Sequence, residues 1–328
     1  MKELDGAALR VEAGLQPDRL LIAAEASYSG TIPSAYEKLY SIVPQSELLA
    51  YLETADTHFT AVSIGKGGRM NGALFCEELV QYLLAQYPER FFVLEKTPIH
   101  TIALREDSVE LTSVAHTITG KDIVLCTNGV ERFMIQNLSG PDIETKFHHL
   151  VRGYVDYMAA YFDPRNPVPG GICYVPAHLS HSIRKGEEAY VQPYFYLNRA
   201  SYHADDGSMQ TLVCIGGPEA IMDDTTQYRL QHPYPNEAQA EIDAFLHTTH
   251  ARSPAGDIPY AFRWHGLMGY TPNGVRSIGY EPCNPRLLYN LGCNGIGMLP
   301  SIYGGRRIAA LLAGESVRPS LFDPKDSR

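Results

Sequence analysis

The loop Gly292-Cys293-Asn294-Gly295-Ile296-Gly297-Met298 is where the residue types of this chain first suggest chemistry. A short apolar run at 287–291 precedes it, and Ile302, Ile308, Ala309, Leu311 and Leu312 follow at helical spacing. Strand, glycine-rich loop and helix bring backbone N–H groups and the positive end of a helix up to an electron-rich ligand. Glycine is needed wherever a Cβ would hold that ligand off the backbone. The bland alternative is a tight strand-to-helix turn with no ligand. Thr127-Asn128-Gly129 closes a second apolar run, 123–127, at the strand end where ligands sit in open α/β sheets. An ordinary strand-ending turn is the alternative there. Tyr194 and Tyr196 stand two apart on a predicted strand and so share a face, with Arg199 just beyond. His265, beside the lone Trp264, is a candidate acid/base residue or a structural histidine.

Several elements must position these residues. Residues 47–52 read as a short helix with Ser46 as N-cap after Pro44, and 59–63 as a strand. After the loop Gly65-Lys66-Gly67-Gly68, a helix carries Leu74, Phe75, Leu79, Tyr82 and Leu83, stopped by Pro88. Residues 90–95 read as a buried strand, and 99–104, 108–111 and 116–119 as an antiparallel meander. Residues 150–161 alternate and are aromatic, 163–171 read as a loop, and 172–175, 189–197 and 209–215 as strands. Residues 235–251 form the one clear helix of this middle section, and Thr271-Pro272-Asn273-Gly274 is a turn. Segments of α/β character thus flank a sheet-rich insert of about 120 residues, the layout of a discontinuous domain with a second one inserted.

The 328 residues suffice for two domains, and 45% apolar with 20% charged residues is ordinary globular composition. A net charge of −10 and scattered Lys and Arg argue against nucleic acid or an anionic membrane as main partner. No window is apolar enough to span a bilayer, and the opening residues resemble neither a signal nor a transit peptide. The six cysteines lie far apart with no CxxC pair, which predicts buried free thiols, no metal site and a cytoplasmic location.

Five stretches taken in order resemble the flavin-dependent D-amino-acid-oxidase-like superfamily, which includes glycine and sarcosine oxidases and amine-oxidising relatives. They are Glu95-Lys96-Thr97-Pro98-Ile99; Ile123 to Gly129; Tyr194 to Arg199 with Asp206-Gly207 and Ile215-Gly216-Gly217; Trp264-x-Gly266 with Thr271 to Gly274 and Ile278-Gly279; and Gly292 to Met298 with Gly305. The resemblance implies an α/β (α+β mixed) fold, an incomplete FAD-binding Rossmann-like domain (65–135 and 265–318) with a mainly antiparallel β substrate domain (1–64 and 136–264). It implies FAD contacts from Ile99, Thr127, Asn128, Gly129, Gly292, Asn294, Gly295, Ile296, Gly297 and Met298. Tyr196, Arg199 and His265 become the catalytic candidates, and an aromatic face holds an amine or amino acid while hydride passes to flavin N5. Met268 stands where amino-acid oxidases of the family place an Arg for the substrate carboxylate, leaving Arg199 or Arg276 for that role. The family's opening strand–GxGxxG–helix segment, which cradles the pyrophosphate, has no counterpart here. The expectation is therefore the C-terminal part of a longer enzyme, with a homo-oligomer or partner chain supplying the missing βαβ unit. The alternative is a non-catalytic remnant or subunit that binds a small molecule or protein without flavin.

Overall fold

The computed structural model describes residues 19–65, 71–147, 150–164, 170–175, 194–250 and 256–324. The chain divides into two units, Met1–Arg69 with Tyr157–Glu219 and Tyr234–Trp264, and Met70–Asp156 with Ala220–Pro233 and His265–Arg328.

In the first unit, β1 (Arg19–Ala23) pairs in parallel with β2 (Tyr40–Val43) and antiparallel with β3 (Ala61–Ile64). The helix α1 (Gln45–Leu52) starts two residues earlier than its sequence suggests. Pro44 is its N-cap and Ser46 lies inside the first turn, while the Gln45 N–H donates to Glu25 Oε2 at 2.9 Å. The helix ends at Glu53 in the left-handed region (φ 53°), a conformation that side chains adopt reluctantly. Leu48 and Leu52 are its buried face, and they join Ile22, Tyr161, Tyr174, Leu197, Ile215, Ile242 and Phe245 in one core. Each such side chain contributes about 1.5–3 kcal/mol on burial.

The second unit comes next in chain order with α2 (Gly72–Gln86), β4 (Ile99–Leu104), β5 (Val109–Ser113), β6 (Thr117–Gly120), β7 (Ile123–Leu125), β8 (Met134–Asn137) and the one-turn α3 (Glu144–Phe147). Asn71 caps α2, its Oδ1 accepting from the Leu74 N–H at 3.1 Å. The meander predicted at 99–119 is there, in a sheet ordered β6-β5-β4-β8. The strand predicted at 90–95 is not. Phe92 is 72% exposed and Leu94 57%, and no described strand pairs with them. Composition marked this run as a strand, but a strand needs a neighbour to satisfy its backbone.

A five-stranded sheet is ordered β10-β11-β12-β9-β13, from β9 (Arg152–Asp163), β10 (Gly170–Tyr174), β11 (Phe195–His203), β12 (Met209–Met222) and β13 (Tyr260–Tyr270). The helix α4 (Asn236–Thr248) precedes β13 and buries Ala238, Ile242, Phe245 and Leu246, an i, i+4, i+7, i+8 face. Parts of the predicted loop at 163–171 and of the strand at 189–197 lie outside the described residues.

Back in the second unit, β14 (Ser277–Glu281), β15 (Asn284–Leu291) and β7 make a sheet ordered β14-β15-β7. β15 is buried on both faces. Leu287, Tyr289 and Leu291 enter one cluster with Leu125, and Leu288 enters another with Ile308 of the closing helix α5 (Met298–Leu312). That double burial is why 287–291 reads as a continuous apolar run. Gly314 (φ 75°) ends α5, its N–H returning to Leu311 O at 3.0 Å. The six cysteines are all free, but none is buried: Cys76, Cys126 and Cys173 are exposed and the rest half-buried. No helix among the described residues is long and apolar enough to cross a membrane.

Candidate functional site

Three chain segments of the second unit meet at the end of β7. They are Thr127-Asn128-Gly129, the end of β13 at 267–271, and the 292–298 loop. Two asparagines join them. Asn128, in the left-handed region at φ 56°, accepts on Oδ1 from the Gly269 N–H at 2.9 Å and the Cys293 N–H at 3.3 Å. Its Nδ2 donates to Leu267 O at 3.3 Å. Asn294, at φ 49°, accepts on Oδ1 from the Thr271 N–H at 2.8 Å and from Thr271 Oγ1 at 3.1 Å. Both side chains thus bond the protein itself, and asparagine suits them because it tolerates φ > 0. Gly129 and Gly269 pack backbone to backbone: a Cβ on Gly129 would lie 3.0 Å from Gly269 N, Met268 C and Met268 O.

The loop itself is organised around Cys293. The Ile296 N–H donates to Cys293 O at 3.1 Å, and the N–H groups of Gly295 and Gly297 face Cys293 Sγ. Burial raises the thiol pKa, and those two N–H groups and Arg276 work against it. A Cβ on Gly297 would come within 2.9 Å of that sulfur. Gly297→Ala should therefore cost about 1 kcal/mol in urea denaturation, within the range for overpacking. Cys293→Ala in the same chain should return most of it, because φ of −83° at Gly297 suits any residue. An undiminished cost in the double variant would mean the sulfur is not the obstacle.

Two observations test whether these residues suit a flavin ring. Thr127 Oγ1 is buried with no hydrogen bond among the described residues, an unsatisfied polar atom at the strand end. Ile296 in the loop and Leu299 in the first turn of α5 are 70% and 74% exposed, so their side chains are open to a ligand. Both suit a planar polar ligand against the loop. Ile99 begins β4 and packs against the core cluster of that unit. Among the described residues no cluster of His, Cys, Asp or Glu could hold a metal ion.

The other sequence candidates are placed as follows. His265 has both ring nitrogens engaged: Nδ1 is 3.0 Å from Tyr228 Oη, and Nε2 is 3.0 Å from His232 O. The carbonyl can only accept, so Nε2–H donates to it, while the tyrosine hydroxyl is within reach of both Nδ1 and, at 3.2 Å, the His265 carbonyl. In the first unit, the Tyr194 and Tyr196 rings are 5.8 Å apart, consistent with a shared face. Tyr196 lies over its cross-strand partner Gly216, where a Cβ would be 2.6 Å from the ring, and its hydroxyl reaches Met158 Sδ at 2.9 Å. Arg199 is buried and donates through Nη1 and Nη2 to Glu53 at 3.0 and 2.9 Å. Sequence reasoning missed Glu53, Gly269, Tyr228 and Asn290. Only Asn290 left a signal, a polar residue inside the apolar run Leu287-Leu288-Tyr289-Asn290-Leu291.

Among solved structures, the chain is similar to glycine oxidase from Geobacillus kaustophilus, at 14% identity and TM-score 0.61, over 98% of this chain and 79% of that one. It is similar to iminodiacetate oxidase from Chelativorans sp. BNC1, at 13% identity and TM-score 0.59, over 94% and 75%. L-proline dehydrogenase from P. horikoshii gives 14% identity and TM-score 0.53, over 96% and 78%. At these identities the likeness is one of fold. No curated protein matches. The family described as FAD dependent oxidoreductase matches residues 10–311. With more than half of its length matched, this chain belongs to the FAD dependent oxidoreductase family.

Proposed function

We propose that this chain carries the ring-binding half of an FAD site and the substrate-binding part of an amine-oxidising enzyme. In this reading a strand–helix–strand segment outside the 328 residues holds the pyrophosphate. The supporting observation is apolar surface with no cover among the described residues. The helix α2 carries Leu74, Phe75, Leu79, Val80, Tyr82, Leu83 and Leu84, yet not one of its residues is buried. Phe92, Val93 and Leu94 are exposed beside it in sequence. Among the described residues β7 pairs only with β15, in parallel, although its Ile-Val-Leu is the apolar run of an interior strand. A parallel strand added to β7, joined by a helix to its neighbour, would use both the free edge and the bare apolar face.

The chemistry FAD supplies when bound is acceptance of a hydride from the carbon beside the substrate nitrogen. Thr127 and the backbone of 292–298 would hold the ring. Ile99 would face adenine. Tyr194 and Tyr196 offer aromatic faces to a neutral amine and its cationic resting form. Arg199 is committed to Glu53, and Arg276 to carbonyl and amide oxygens, so neither offers an open fork to a substrate carboxylate. That favours an amine over an amino acid. His265 is engaged through both ring nitrogens, by Tyr228 and by the His232 carbonyl, which gives it a positioning role.

The experiment is an FAD titration followed by quenching of flavin fluorescence. The chain is tested alone and with an added strand–GxGxxG–helix–strand polypeptide of about 35 residues. The chain alone should hold FAD poorly, and the added segment should bring affinity into the micromolar range. Leu79→Lys with Tyr82→Lys should leave the stability of the chain alone within about 0.5 kcal/mol, because both residues are exposed, yet abolish the gain. Absence of quenching with the segment present would overturn the reading in favour of a non-catalytic subunit.

A further inference from the structure

Four aromatic rings of the first unit are linked in a chain along one cavity. Phe195 stacks on Phe245 with ring centres 4.3 Å apart and planes 3° from parallel. Phe245 meets Tyr174 edge-on at 5.0 Å, and Tyr174 meets Phe59 edge-on at 5.8 Å. The cavity they line, about 570 Å³, lies between α4, the end of β10, the start of β11 and residues 56–59. Small-molecule sites fall in the range of about 300–1,000 Å³. An added Cβ at Gly217 would come within 2.6 to 3.0 Å of the Phe195 ring, so glycine there lets that ring lie flat on β12. The neighbouring Gly216 stands under Tyr196 instead. Phe195 and Tyr196 therefore face opposite sides of the five-stranded sheet, and the cavity is on the Phe195 side. The Tyr174 hydroxyl is held by Leu52 O at 2.7 Å, which fixes its ring. The charges at the rim are acidic. Asp56 and Glu241 line the cavity, and no lysine or arginine does among the described residues. Asp56 meets His58 Nδ1 at 2.8 Å, an ion pair only when that 93% exposed histidine is protonated. Glu241 makes no hydrogen bond or ion pair among the described residues.

We propose that this cavity binds a small arylalkylammonium ion, its apolar body against the four rings and its nitrogen toward Glu241. Ring faces carry negative potential from the π quadrupole, so rings and carboxylates attract a cation together and repel an anion together. A neutral aromatic molecule would use the rings and leave the carboxylate idle. The site needs no flavin, and all of its residues belong to the first unit. A gap that was only a fault in the packing would take neutral and cationic probes alike.

The test is a calorimetric titration of the flavin-free 328-residue chain with phenethylammonium, set against 2-phenylethanol and phenylacetate as its neutral and anionic counterparts. The ammonium should bind about tenfold tighter than the alcohol, and phenylacetate more weakly than either. The advantage over the alcohol should shrink at about 1 M salt, where charges are screened beyond about 3 Å. Glu241→Lys, at an exposed position on α4, should weaken the ammonium about tenfold and leave the alcohol within about twofold. Phe59→Leu, which removes one ring from the wall, should weaken the ammonium about threefold to tenfold. Tyr194→Leu removes a ring from the other side of the sheet and should leave the ammonium within about twofold. Glu241→Gln serves as the neutral variant if the lysine form does not fold, with about a threefold loss expected. Equal affinity for ammonium and alcohol would overturn the proposal, as would a loss in Tyr194→Leu with none at Glu241. An FAD titration that fails while phenethylammonium still binds overturns the functional reading above and upholds this site.

Discussion

Arg199→Met is expected to destabilise the first unit by about 3–5 kcal/mol, measured by urea denaturation, because it takes the guanidinium away from the buried Glu53 carboxylate. The Arg199 and Glu53 side chains are 8% and 10% exposed, and the guanidinium meets the carboxylate through two parallel bonds of 3.0 and 2.9 Å. The pair also accounts for a local oddity. Glu53 ends α1 at φ 53°, a position where glycine would be unstrained, and its side chain is what holds Arg199. The carboxylate bridges from the end of that helix to the middle of β11, a link across 146 residues of sequence. Replacing both partners by apolar residues, Glu53→Leu with Arg199→Met, should cost less than Arg199→Met alone, since the buried carboxylate is then removed as well. This cycle also tests Arg199 as a catalytic candidate. A chemical role predicts a stable, inactive Arg199→Met; the ion pair predicts an unstable protein whose stability the second substitution partly restores. A single variant that kept wild-type stability would rule out the structural account.

What the sequence made legible follows a physical line. β15 and α5 were readable because their signals are local: an apolar run, glycines, then a 3.6-residue repeat. The stop of α2 just before Pro88 is local too. Asn128 and Asn294 were readable as loop residues, but not as the bonds that hold three loops together. Asn128 finds its partners 139, 141 and 165 residues away, and no spacing rule encodes that. Residues 90–95 failed for a related reason. Phe91-Phe92-Val93-Leu94 has strand composition, yet pairing depends on a neighbour that no described residue provides. The cysteines misled because apolar neighbours in sequence do not fix which way a side chain faces. Cys126 follows Leu125 directly, yet Leu125 is buried and Cys126 exposed. The alternation at a strand end decides it.

Gly129→Ala should damage the candidate site. The atoms that an added Cβ would meet are Gly269 N, Met268 C and Met268 O, each at 3.0 Å and each backbone. No side chain can rotate away, so either β7's end or β13's end must shift. The reverse substitution, Gly269→Ala, meets Asn128 C and O at 2.8 Å and should behave alike. Relief by separation would stretch the 2.9 Å bond from the Gly269 N–H to Asn128 Oδ1, and through Asn128 the 3.3 Å bond to the Cys293 N–H. The 292–298 loop would then move with respect to Thr127. Overpacking of this kind costs about 1–3 kcal/mol. If that strain falls on the ligand-binding arrangement, FAD affinity drops about 5- to 150-fold, at a factor of ten per 1.4 kcal/mol. Gly266→Ala is the control, since it lies on the same strand and its added Cβ meets nothing within 4 Å. The check is urea denaturation of each variant, then FAD titration with the completing segment present. Gly129→Ala that matched Gly266→Ala in both measurements would show that the crossing of β7 and β13 does not set the geometry of the site. A loss of FAD affinity with stability intact would show that the crossing matters for position alone.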